Sequence, residues 1–170
     1  MESHHILPLP RFDRPTRLLL VVAPFYRDIA EALVAGARAA VAKAGAGEEL
    51  VEVPGALELP AAIGLAARGG AFDGFVALGC VIRGETTHYE TVCNDSSRGL
   101  TLLGLQGVCI GNGILTVETH AQAAVRADPA GQDKGGGAAA AAMHLVALKR
   151  RFAAPSRPLP DGSFRVAGLE

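Results

Sequence analysis

Four short apolar runs, each followed by a helical pattern, constrain the fold of this 170-residue chain most strongly. The first run, residues 18–23, is continuously apolar and ends at Pro24. Uninterrupted runs of this length are typical of strands that are buried on both faces of a parallel sheet. The pattern predicts strands at 18–23, 50–53, 75–82 and 108–115.

Apolar residues at three- and four-residue spacings predict a helix after each strand. Asp28 is the expected N-cap of the first helix and Thr119 that of a short helix ending near residue 127. The other helices are expected at 58–68, 89–105 and 138–152, with a polar loop at 128–137. Because crossovers between parallel strands are right-handed, this alternation predicts an α/β fold. Its expected form is a three-layer αβα sandwich with a four-stranded parallel sheet.

Composition excludes several classes of protein. The formal net charge is −1, so no basic field favours nucleic acid or an acidic membrane surface. No uninterrupted run of about 18 apolar residues predicts a membrane span, and residues 1–17 lack the apolar core of a signal peptide. The three cysteines, Cys80, Cys93 and Cys109, form no CxxC pair. We therefore expect reduced thiols and a cytoplasmic location, with Cys80 and Cys109 as small core residues.

Ligands of an open parallel sheet bind beyond the carboxyl ends of its strands, so the segments after the strands are the candidate site. The segment after the third strand is the most informative. Gly84 permits a bend, and the amides of Glu85, Thr86 and Thr87 lie at a helix start, where they favour an anion. His88 follows and could move a proton near neutral pH. Alone, a histidine in this position is more often an ordinary surface residue.

Two sequence segments, taken together, are more informative about function than His88 alone. Residues 53–58 (VPGALE) and 79–90 (GCVIRGETTHYE) closely resemble hallmark segments of the lumazine synthase family. Residues 113–118 (GILTVE), Arg126 and 133–135 (DKG) continue the resemblance in order, which covers about residues 17–152. The resemblance implies a flavodoxin-like fold and a transferase. The implied reaction joins 5-amino-6-(D-ribitylamino)uracil to 3,4-dihydroxy-2-butanone 4-phosphate, giving 6,7-dimethyl-8-ribityllumazine in the penultimate step of riboflavin biosynthesis.

The resemblance also implies which residues bind the pyrimidine substrate. Phe25 would stack on the pyrimidine ring, Glu58 would accept hydrogen bonds from the ribityl chain, and Lys134 would help to bind the ring. The other implied positions are Ala56, Leu57, Val81, Ile82 and Asn112. Two residues depart from the family pattern: Tyr26 replaces a common asparagine, and Asn112 replaces an aromatic that covers the pyrimidine from an adjacent subunit.

The phosphate-binding residues implied by the resemblance are Gly84, Glu85, Thr86 and Thr87. Arg126 would reach the same phosphate from a neighbouring subunit, because a guanidinium suits bidentate contact with phosphate. His88 would be the catalytic acid/base group. The reaction requires two oriented substrates, an anion site and a proton shuttle, so we expect neither a metal nor another cofactor.

The resemblance further implies a homopentamer with sites shared between neighbours; a decamer and an icosahedral capsid of twelve pentamers stay open. Small-molecule substrates are the expected ligands, with riboflavin synthase as a candidate partner. The expected organisation is an extension at 1–16, the lumazine synthase domain at 17–152 and a tail at 153–170.

Two alternative functions follow from the same pattern. The first is a non-catalytic flavin- or lumazine-binding paralogue, against which the intact His88 and Arg126 argue. The second is a flavodoxin-like redox or nucleotide-binding module. The second alternative would require a glycine-rich turn after the first strand, and the sequence has none there.

Overall fold

A computed structural model describes residues 7–153, 157–158 and 164–165 of the chain. The strands are β1 (Arg17–Val22), β2 (Gly47–Glu52), β3 (Gly74–Ile82), β4 (Ile110–Val117), β5 (Arg157–Pro158) and β6 (Phe164–Arg165). The helices are α1 (Arg27–Lys43), α2 (Glu58–Gly69), α3 (His88–Leu105), α4 (His120–Ala127) and α5 (Lys134–Ala153).

The first four strands form one parallel sheet in the order β2-β1-β3-β4. In the register of the sheet, Leu20 of β1 pairs with Leu50 on one side and with Val76 on the other. Helices cover both faces of this sheet. The predicted three-layer, flavodoxin-like α/β fold is confirmed. The central strands β1 and β3 are buried along nearly their whole length, which requires cover on both faces.

Two hydrophobic clusters flank the sheet. On one face α1, α4 and α5 pack against side chains such as Leu18, Leu20 and Leu78. On the other face α2 and α3 pack against Leu19 and Val21. Side chains of successive strand residues point to opposite faces, so one apolar run supplies both cores.

Of the two predicted N-caps, one is confirmed and the other is wrong. Thr119 caps α4 as expected: its Oγ1 accepts a hydrogen bond from the Gln122 amide at 3.2 Å. Asp28 is not an N-cap, because Tyr26 takes the extended N-cap conformation and α1 begins at Arg27. The Asp28 Oδ2 instead lies 2.8 Å from Nε2 of His120 at the start of α4.

The last long helix begins earlier than predicted. α5 starts at Lys134 rather than at residue 138, so the expected loop at 128–137 is shorter. Asp133 has a positive φ of 44°, and its Oδ1 accepts a hydrogen bond from the Gly136 amide at 2.9 Å. This contact stabilises the first turn and allows the three glycines at 135–137 to be helical.

Other boundaries also differ from the sequence prediction. β2 begins at Gly47 rather than at residue 50. Gly107 turns with a φ of 88°, and pairing with β3 begins at Ile110, so β4 lies two residues later than expected and Cys109 precedes it. Within the expected tail at 153–170, β5 and β6 form a short antiparallel pair. Residues 154–156, 159–163 and 166–170 lie outside the described residues, as do residues 1–6 of the expected extension. Where the structure describes the chain, no helix is long and apolar enough to cross a membrane.

Candidate active site

A cavity of about 440 Å³ lies beyond the carboxyl ends of β1, β2 and β3. This is the edge at which the topology of a parallel sheet places ligands. Nine of the predicted site residues line it: Phe25, Ala56, Leu57, Glu58, Val81, Ile82, Gly84, Thr86 and His88. The fold therefore brings together three segments that are far apart in the sequence.

One end of the cavity is aromatic. Phe25 follows β1 and is 74% exposed, which is unusual for a large apolar side chain beside a buried strand. Its ring meets that of Tyr26 edge-to-face, with centroids 5.1 Å apart. Tyr26 in turn contacts His120, whose ring centroid lies 6.4 Å away. Phe25 thus offers an exposed aromatic ring to a planar ligand, with Tyr26 packed beside it.

The middle of the cavity combines a buried floor with one carboxylate. Ala56 and Cys80 are both 8% exposed and form part of the floor. Glu58 is the first residue of α2, and its side chain folds over Gly55. An added Cβ on Gly55 would lie 2.9 Å from the Glu58 Oε2. A carboxylate in this position can accept hydrogen bonds from ligand hydroxyls.

The other end of the cavity is the start of α3. Thr87 is the N-cap, and within the described part of the chain its side chain makes no capping bond. There the His88 amide has only a 3.4 Å contact with Thr86 Oγ1. The first amides of a helix have no partner within the helix, and the helix dipole is positive there. This turn can therefore bind an anion, with the exposed His88 beside it.

Five predicted site residues do not line the cavity. Glu85 and Thr87 belong to the same turn, but the other three lie elsewhere. Arg126 donates a hydrogen bond to the carbonyl of Gln122 in its own helix at 2.9 Å. Asn112 is exposed on β4 and accepts one from the Ile114 amide. Lys134 is exposed at the start of α5. Within this chain, these three residues contribute nothing to the cavity.

Seven residues that line the cavity were not predicted from the sequence to bind a ligand. They are Ala23, Tyr26, Pro54, Gly55, Cys80, Tyr89 and Val92. A signal existed for Val92, because a residue four positions after His88 lies on the same face of α3. Cys80 is a core residue as expected, yet it also lines the cavity.

The three cysteines are free thiols with raised pKa values. Burial, followed by the charge of Asp28, raises the pKa of Cys80 to about 11. Burial also raises the pKa of Cys93 and of Cys109. A raised thiol pKa lowers the thiolate fraction near neutral pH, and the thiolate is the nucleophile.

We expect Cys80 to be alkylated by iodoacetamide about a hundredfold more slowly than an exposed thiol near neutral pH. The labelling rate should rise about tenfold per pH unit until the pH approaches the pKa of about 11. Mass spectrometry of labelled peptides measures this rate for each cysteine. Labelling after denaturation is the control, and it should modify all three cysteines. Rapid labelling of Cys80 in the folded protein would contradict the raised pKa of its thiol.

The α/β fold thus places an exposed aromatic ring and the start of α3 in one cavity. The sequence model of the 6,7-dimethyl-8-ribityllumazine synthase family matches residues 15–150. The chain therefore belongs to the 6,7-dimethyl-8-ribityllumazine synthase family and is an enzyme of the transferase class.

Individual relatives agree with this assignment. The chain is 54% identical over 169 residues to a 6,7-dimethyl-8-ribityllumazine synthase of Jannaschia sp. (strain CCS1), covering 98% of this chain and 95% of that one. It is 56% identical over 138 residues to the protein of the same name from Erythrobacter litoralis, covering 81% and 99%. A third, from Novosphingobium aromaticivorans, is 55% identical over 136 residues, covering 80% and 98%.

Proposed function

We propose that the enzyme condenses 5-amino-6-(D-ribitylamino)uracil with 3,4-dihydroxy-2-butanone 4-phosphate to give 6,7-dimethyl-8-ribityllumazine, in the penultimate step of riboflavin biosynthesis. One observation carries the assignment of the substrates to the site. A single cavity joins the free ring of Phe25, the carboxylate of Glu58 and the start of α3 at His88. A planar heterocycle with a polyol chain and a phosphate ester matches these three parts in chemistry.

The pyrimidine would occupy the aromatic end. Its ring would stack on Phe25, and the backbone at Val81 and Ile82 would bind its polar edge. Ala56, Leu57 and Glu58 would hold the ribityl chain, whose hydroxyls suit the Glu58 carboxylate. The exposed ring of Phe25 supports this orientation, because stacking would remove it from water.

The keto-phosphate would occupy the end at α3. The turn of Gly84, Glu85, Thr86 and Thr87 would bind the phosphate through its amides and hydroxyls. There the ketone would lie close to the amine of the pyrimidine and to His88, the proposed acid/base group. Binding both substrates in one cavity turns a bimolecular attack into an effectively unimolecular one.

The proposed steps balance without an external oxidant or reductant. The aromatic amine attacks the ketone, water leaves, and a Schiff base forms. Inorganic phosphate is then eliminated with the loss of a carbon-bound proton, and the resulting enol tautomerises. The ribityl-bearing nitrogen attacks the second carbonyl, and a second water leaves as the ring closes. His88 would move the protons, while the anion site would stabilise the departing phosphate.

We further propose a homopentamer in which neighbouring copies complete each site. Asn112, Arg126 and Lys134 would reach the cavity of an adjacent copy, which agrees with their absence from the cavity of their own chain. Large apolar side chains exposed on the helices support a contact between copies: Leu65, Leu102, Leu105 and Val125. The mass from light scattering would distinguish a pentamer from a decamer or an icosahedral capsid.

The remaining assignments are also proposals. A cytoplasmic location agrees with the free thiols of the three cysteines. Riboflavin synthase is a candidate partner, since it would use the product. The division into 1–16, a catalytic domain at 17–152 and 153–170 agrees with the start of β1 at Arg17 and the end of α5 at Ala153.

A two-substrate assay tests the proposed function. Mixing both substrates with the protein should produce lumazine fluorescence and an equal amount of inorganic phosphate. Mixtures that lack either substrate should release phosphate only at the rate of the enzyme-free control. Tight binding of riboflavin with no lumazine formed would instead support the non-catalytic paralogue.

A further inference from the structure

Arg83, the residue directly after β3, makes three side-chain contacts. Its Nε donates a hydrogen bond to Oε1 of Glu118 at 3.0 Å, and its Nη1 donates one to Oε1 of Glu90. Its guanidinium lies over the ring of Tyr89, 4.2 Å from the centroid. The Arg83 amide also donates to the carbonyl of Val117 at 2.9 Å.

These contacts join three elements at the edge of the sheet. Arg83 extends from β3, Glu118 follows β4, and Tyr89 and Glu90 lie in the first turn of α3. The segment between Arg83 and Tyr89 contains the anion-binding turn and His88. The guanidinium therefore holds the start of α3 against the ends of β3 and β4. The groups that are proposed to bind and react with the keto-phosphate lie in sequence between Arg83 and its contacts in α3.

Glu90 depends on this contact. Its side chain is 46% exposed, but its Oε2 atom is enclosed and has no hydrogen-bond partner among the described residues. The hydrogen bond from Arg83 lowers the pKa of Glu90, and the same bond raises the pKa of Arg83. Both groups therefore stay charged near neutral pH, and removing the guanidinium would leave a partly desolvated carboxylate without its partner.

We infer that Arg83 is a positioning residue for the phosphate end of the site. It does not line the cavity and would not contact either substrate. Its planar fork sets the position of the first turn of α3, and through it the amides of the turn and the imidazole of His88. This inference rests on the proposed placement of the keto-phosphate.

Geometry, rather than charge alone, is the property that this role requires. A lysine would keep the positive charge, but its single ammonium has no planar fork to bind two carboxylates while stacking on Tyr89. Arg83→Lys is therefore the informative substitution. Arg38 supplies a matched control, because its Nε donates to Oε1 of Glu48 at 2.9 Å in an ion pair remote from the cavity.

The test measures steady-state kinetics of Arg83→Lys and Arg38→Lys with each substrate varied in turn. For Arg83→Lys the KM for the keto-phosphate should rise about tenfold or more, while the KM for the pyrimidine changes less than about twofold. Arg38→Lys should leave both unchanged. Equal rises in both KM values, or no rise in either, would overturn the positioning role.

A second readout separates this inference from the proposed function. Titration of the protein with inorganic phosphate, followed by phosphorus NMR, needs no turnover. Arg83→Lys should weaken phosphate binding by about the same factor as the KM. Failure of the unmodified protein to turn over would contradict the proposed function alone, whereas equal phosphate affinity in the variant and the unmodified protein would overturn the role of Arg83.

Glu118→Ala provides a milder variant that removes only one arm of the fork. Glu118 is exposed, so little loss of stability is expected. Its KM for the keto-phosphate should rise about threefold, less than for Arg83→Lys. An unchanged value would show that the bridge to β4 does not position α3 and would overturn the inference.

Discussion

Replacing Gly135 by alanine is expected to lower the free energy of unfolding by about 3 kcal/mol or more. Gly135 lies in the first turn of α5, where that helix crosses α1. A Cβ there would lie 2.0 Å from the carbonyl oxygen of Leu33 and 2.8 Å from its carbonyl carbon. Both atoms belong to the backbone of a packed helix, so the clash can be relieved only by moving α1 and α5 apart. Chemical denaturation followed by circular dichroism measures the loss.

Gly137, two residues further along the same helix, is the matched control. No atom of the described residues lies within 4 Å of a Cβ built on it, and the residue is exposed. Gly137→Ala should raise the free energy of unfolding by about 0.5–1 kcal/mol, because alanine loses less backbone entropy in a helix than glycine. Equal changes in the free energy of unfolding for the two substitutions would contradict a close crossing of α1 and α5 at Gly135.

The second large effect is expected at the proposed active site. His88→Ala should lower kcat by about 10²–10⁴-fold, the usual contribution of a positioned acid/base group. His88 is exposed at the start of α3, so its removal should leave the fold intact. Single-turnover kinetics with saturating substrates measures the chemical step, and the thermal unfolding midpoint reports the fold.

His144→Gln is the control for His88→Ala. His144 lies in α5 and does not line the cavity, so its replacement should leave kcat within about twofold. An unchanged kcat in His88→Ala would remove the acid/base role from this residue. The assay of the unmodified protein would then decide separately whether the protein catalyses the two-substrate reaction.

Local patterns predicted much of the fold and part of the site. The apolar run at 18–23 corresponds to β1, which has a neighbouring strand on each side. An apolar strand has few other stable environments in water. Thr119 capped its helix because the capping residues are adjacent in sequence. His88 and Gly84 met Phe25 and Glu58 in one cavity, because parallel strands end at the same edge.

Two of the wrong predictions share one cause, which is competition from partners distant in sequence. Asp28 resembles an N-cap, but its carboxylate pairs with His120, which lies near it only in the folded chain. The glycines at 135–137 resemble a loop, yet the small size of Gly135 allows α5 to pack closely on α1. Helix propensity disfavours glycine, but close packing between elements outweighs that preference.

The sequence by itself determined the order of strands and helices, the burial of the central strands, and the position of the turn before α3 that is proposed to bind an anion. Each of these depends on residues that are neighbours along the chain. The tertiary structure alone decided that Tyr26, Tyr89 and Cys80 line the cavity, that Arg83 joins two strands to α3, and which candidate residues stay outside the cavity. These features depend on side-chain directions and distances between elements remote in sequence, which no local pattern encodes.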